Sequence, residues 1–131
     1  MVPTVPSPAE FERAALATIA SLPDEFRRHL ADVVLRIEEF ATADQLSSVG
    51  IADRWDLTGL YEGVPLPEQS LWDEPRMPPA ISLFRQPLLR EMEETGVGFE
   101  ALVRHVVIHE AGHHFGFSDE DMHALEDEAD D

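Results

Sequence analysis

His109-Glu110-Ala111-Gly112-His113 sets two imidazoles four residues apart with a carboxylate beside the first. The preceding run, Val106-Val107-Ile108, is apolar and suggests a buried helix. On a helix, residues four apart stand one turn above each other on the same face, so His109 and His113 can offer two ring nitrogens to one metal ion. Glu110 falls about 100° further round, beside the metal but off the ligand stripe, where it could reach a water held there. Zinc hydrolysis needs that arrangement.

The residues that follow extend the pattern to His-Glu-x-x-His-x-x-Gly-x-x-Asp. Gly116 can take the left-handed conformation that ends a helix and turns the chain back. Such a turn carries Asp119 towards the two histidines. Three protein ligands would then leave a fourth position for water, as catalytic zinc requires. Glu120, Asp121 and His123 lie close enough in sequence to compete for the third place. Asp119 can equally be read as a first-turn acid of a last helix that Ser118 caps, and both roles are compatible.

Composition narrows the chemistry. The 131 residues suffice for one compact domain, and 44% hydrophobic content allows a packed core. There is no cysteine, so metal must be held by histidine and carboxylate. A net charge of −18, from 27 acids against 9 bases, argues against nucleic acid as a partner and favours cations or basic peptides. No signal-like or membrane-length apolar stretch stands out, which gives the expectation of a cytoplasmic protein with no membrane role.

The elements that must position the motif can be read in order. Ser7-Pro8-Ala9-Glu10 is a capping box opening a helix through Phe11, Ala14, Ala15 and Ile19, interrupted at Pro23. A short second helix runs from near Pro23 through Phe26 and Leu30. Val33, Leu35 and Ile37 alternate with Val34, Arg36 and Glu38, predicting a half-buried strand. Thr42 to Gln45 caps a short helix through Val49 that Gly50 ends. Leu57 to Gly63 reads as a short strand or turn. Val64 to Pro79, with Pro65, Pro67, Pro75, Pro78 and Pro79, reads as an ordered surface loop.

Ala80 to Phe84 is a second strand, with Ile81 and Leu83 on one face. Pro87 starts a short helix through Met92, and Gly96 and Gly98 break the chain. The central helix then spans about Phe99 to His114, with Leu102, Val106, His109 and His113 on one stripe and Val103, Val107 and Ala111 on another. A helix apolar on most sides is buried, here against the small sheet. Met122 and Leu125 seat a last helix, and the tail from about residue 126 is acidic and frayed.

Taken together, these segments resemble the minimal zincin metallopeptidase family, small bacterial proteins related to the metzincins. Leu57-Thr-Gly-Leu-Tyr-Glu-Gly-Val-Pro65, Ile81-Ser-Leu-Phe-Arg-Gln-Pro87 and the run from Val106 to Asp121 carry the likeness, which covers most of the chain. The resemblance implies an α+β fold, a small mixed β-sheet packed on a central zinc-binding helix, with residues 1–131 as one minimal zincin-like domain. It implies zinc (Zn2+) on His109, His113 and Asp119, with Glu110 catalytic. Asp stands where metzincins more usually carry a third His. No methionine turn of the metzincin kind can be placed, because Met122 follows Asp119 too closely. Little chain follows Asp119, so half of the usual cleft is expected to be missing. By the same resemblance, the Ala80–Phe84 strand is expected at the sheet edge along which an extended peptide lies.

The function this predicts is a zinc-dependent metallopeptidase, a monomer acting on a peptide or protein substrate. Glu110 takes the proton of a zinc-activated water and passes it to the leaving amine. Tyr61, His105 and His114 are candidates for steadying the oxyanion, and equally for core packing or hydrogen-bonded support. The alternative is a non-catalytic zinc-binding module whose acidic surface docks a basic protein partner. A zinc that only clamps the final helix is a third reading. Glu110 counts against it, because a clamp needs no carboxylate beside an open position.

Overall fold

The chain starts where its capping residues direct. In the computed structural model, which describes residues 5–64, 78–118, 120–122, 124 and 126, the Ser7 side chain accepts from the Glu10 amide at 3.2 Å. The Glu10 carboxylate takes the Ser7 amide in return, also at 3.2 Å, and Pro8 opens the first turn of α1 (Pro8–Ser21). Both orphan donors of that end are thereby satisfied. The helix stops at Leu22, ahead of Pro23. A short α2 (Asp24–Arg27) follows and tightens into a 3-10 turn over Arg28–Leu30. Thr42 and Gln45 form a second capping box, at 2.9 and 3.1 Å, that starts α3 (Ala43–Ser48).

Three strands, β1 (Val34–Glu38), β2 (Gly59–Glu62) and β3 (Ala80–Phe84), form a mixed sheet in the order β1-β3-β2 among the described residues. β3 runs parallel to β1 and antiparallel to β2. The expected edge position of Ala80–Phe84 is therefore overturned: both sides of that strand are hydrogen-bonded, and all five of its residues are buried. Ile81 and Leu83 face the main core, while Phe84 packs with Ala41, Leu57 and Leu60 on the far side. A strand buried on both faces belongs in the middle of a sheet. β2 takes the edge instead.

α4 (Arg85–Thr95) grows directly out of β3, two residues earlier than Pro87 predicts. Proline is tolerated there because the first amides of a helix lack partners in any case. α5 (Phe99–Phe115) is the long central helix, and Leu102, Val103, Val106, Val107, Ile108 and Ala111 are buried along it. It packs against α1, where Phe11 meets Phe99 edge-on at 4.9 Å, and against the sheet. Each buried leucine, valine or isoleucine among them contributes about 1.5–3 kcal/mol by leaving water, so the helix is fixed on several sides at once. Residues 65–77 of the expected proline-rich loop lie outside the described residues. No helix among the described residues is long and apolar enough to cross a membrane.

Candidate metal centre

α5 delivers His109, Glu110 and His113 together. Their potential ligand atoms all lie within 4.8 Å of one another, and the His109 and His113 rings sit 4.9 Å apart, nearly perpendicular. Two nitrogens each about 2.1 Å from one zinc can be at most about 4.2 Å apart, so atoms already within 4.8 Å of one another are close to the spacing a shared ion needs. The donor chemistry fits as well: two imidazoles, a nearby carboxylate, and no thiolate in the chain to favour a closed structural site. The His113 side chain is about half exposed (49%), so the face is open to an entering ion.

Glu110 differs from its neighbours. It is only 8% exposed, buried between α5 and β2, with its Oε1 3.9 Å from His113 Nε2. Burial raises its carboxyl pKa from the ordinary 4.5 to about 7, partly offset by a hydrogen bond from the Tyr61 backbone amide. That amide is available because of strand register. Phe84 N–H bonds to Thr58 C=O, so Leu60 and Glu62 exchange the bonds with β3. Gly59 and Tyr61 point theirs outward, away from β3 and towards α5. The candidate base thus sits against the edge strand β2, between that strand and the histidines.

Beyond His113 the chain turns as glycine permits. Gly116 adopts φ 74°, ψ 27°; its amide bonds to His113 C=O at 3.1 Å and the Phe117 amide to Gly112 C=O at 2.9 Å. These are the paired closing bonds of a Schellman motif. Ser118 then caps a new helical turn with Asp121, each side chain taking the other's amide at 3.2 Å. Met122 folds back over Gly112, where a β-carbon would stand 2.5 Å from Met122 Cγ. Asp119, the expected third ligand, lies outside the described residues, as do His123 and Leu125. Of the competitors, the Asp121 carboxylate is engaged at Ser118 and Glu120 faces solvent.

The three candidates for oxyanion support separate. His105 is exposed and directs Nδ1 to the Glu126 carboxylate at 3.2 Å; Arg104 holds the Glu126 carbonyl at 3.1 Å. Tyr61 and His114 are bonded to each other, Tyr61 Oη to His114 Nδ1 at 2.7 Å. His114 is 3% exposed, and burial lowers its pKa, with the His29 carbonyl opposing. The sequence reading missed Gly59 and Gly63. A β-carbon on Gly59 would lie 2.5 Å from Val106 Cγ1 and 3.5 Å from Glu110 Cγ; one on Gly63 would lie 2.8 Å from Tyr61 Oη. A glycine opening β2 and another just past its end, two residues either side of Tyr61, are the available signal, since glycine in or beside a strand often marks close backbone approach.

A cleft of about 360 Å³ opens at the end of β2, lined by Val49, Leu57, Gly59, Leu60, Tyr61, Glu110 and His113. A larger groove of about 590 Å³ runs between α1 and α5 past Arg13, Thr18 and Arg104, but none of the three clustered candidate ligands lines it. The smaller cleft is the one that reaches Glu110 and His113. The model of the zincin-like metallopeptidase family matches residues 30–129, spanning the sheet, the cleft and the histidine helix. The chain belongs to that family. No curated protein matches it. Within the zincin-like family, this chain's His109-Glu110-His113 cluster is compatible with zinc.

Proposed function

We propose that this zincin-like chain is a zinc-dependent peptidase in which His109, His113 and Asp119 hold the metal and Glu110 is the general base and acid. The observation that carries the reading is Glu110 itself: a buried carboxyl beside two imidazoles, one partly and one well exposed, with edge strand β2 packed against it. Zinc bound there would lower the pKa of a water towards neutrality and polarise a peptide carbonyl. Glu110, buried beside the ligand stripe, is placed to take a proton from that water and return it to a leaving amine.

Val49, Leu57 and Leu60 give the cleft an apolar wall for a side chain beside the scissile bond. The net charge of −18 favours basic peptides. The chain acts as a monomer in this reading.

Glu110→Ala tests it: zinc stays bound while hydrolysis of a peptide library, sensitive to chelator in the wild type, disappears. Full hydrolysis by that variant ends the proposal. Stoichiometric zinc without any turnover in the wild type, together with a basic protein captured at low salt and released at high salt, would favour the binding-module alternative.

A further inference from the structure

We infer that Tyr61 and His114 form a positioning pair that aims Glu110 by locking edge strand β2 to helix α5. The inference rests on the reading of Glu110 as the base and adds residues outside the metal motif.

Proton bookkeeping fixes the roles. The His29 carbonyl, 3.1 Å from His114 Nε2, can only accept, so Nε2 carries the hydrogen. A neutral imidazole then has a bare Nδ1, and the Tyr61 hydroxyl donates to it across 2.7 Å. The hydroxyl has one proton, and the Val64 carbonyl at 3.3 Å is the more distant acceptor. Both side chains are therefore committed. Neither has a donor left for a developing oxyanion, which removes them from that role.

Geometry supplies the new one. Glu110 and His114 are one turn apart on α5, and Tyr61 faces both: its outward main-chain amide counters the effect of burial on the Glu110 carboxyl, and its hydroxyl bonds to His114 at 2.7 Å. Among the described residues β2 is tied to β3 on one side only, so without the second grip its outward amide would be free to shift along the helix. Gly63, at φ 153°, lets the chain close over the hydroxyl where any side chain would collide. The held amide occupies part of the carboxylate's acceptor capacity and orients the remainder towards the histidines.

The test uses Tyr61→Phe, His114→Asn and His114→Leu. Amide hydrogen exchange is read in the zinc-free proteins, zinc affinity by competition with a chelator, and kcat and KM on a peptide from the library digest. In Tyr61→Phe, exchange at position 61 rises and kcat falls, each about tenfold, while KM and zinc affinity stay within about twofold. His114→Asn, which keeps an acceptor near the position of Nδ1, loses less than His114→Leu, and Tyr61→Phe combined with His114→Leu is no worse than His114→Leu alone. Unchanged exchange at position 61 overturns the pairing. A parallel fall in kcat, zinc affinity and stability also overturns it, because that pattern describes a purely structural contact. If the wild-type chain hydrolyses nothing, the peptidase reading fails and the exchange result by itself decides whether the clasp holds the strand.

Discussion

Replacing Glu110 with Gln should make the zinc-free protein more stable at pH 8. The carboxyl is 8% exposed, and its pKa lies at about 7 against an ordinary 4.5. The folded chain thus holds this proton more tightly than the unfolded chain does. Between those values the folded state binds more protons, so stability falls as pH rises through the window and the whole penalty is present above pH 7. A gap of two to three pH units, at about 1.4 kcal/mol each, amounts to about 3 kcal/mol at pH 8 and under about 1 kcal/mol at pH 5. Glutamine stays neutral throughout and keeps an oxygen for the Tyr61 amide. Urea unfolding of both proteins in chelator, at pH 8 and pH 5, measures the difference, with the other carboxylates cancelling between them. A gap of the same size at both pH values, or a less stable variant at pH 8, refutes the reasoning.

Gly59→Ala should cost about 1–3 kcal/mol, because its β-carbon meets the stiff Val106 side chain at 2.5 Å inside a packed interface; a lower urea midpoint at unchanged slope checks this. Gly112→Ala and Met122→Ala should be non-additive, the pair costing less than the sum of the single losses, since the alanine methyl takes space that Met122 fills. His109→Ala or His113→Ala should abolish zinc binding by elemental analysis. His105→Ala should leave it intact, because that ring is turned to Glu126.

Most of the helical frame was legible because its signals are local. Ser7 with Glu10, Thr42 with Gln45, and Gly116 each declare a helix end within a few residues, and all three ends fall where expected. The alternation around Leu35 and Ile37 likewise gave β1. Sheet order was misjudged because it depends on partners far away in the chain. Yet Ala80 and Phe84, on the face opposite Ile81 and Leu83, already suggested burial on both sides. At the site, His109 and His113 were readable from spacing alone. The Tyr61–His114 bond spans 53 residues, and no periodicity announces it. Glu110's burial between helix and strand was equally hidden, since sequence shows the carboxylate but not the wall beside it.

His105, His109 and His113 climb α5 at successive turns, with the outer two about half exposed. A ladder of imidazoles on an open face is what nickel and cobalt resins capture. The untagged chain should be retained on such columns and elute carrying their ions. Preparations meant to reveal which metal the cell supplies are therefore best made by ion exchange, for which the strongly acidic surface is well suited.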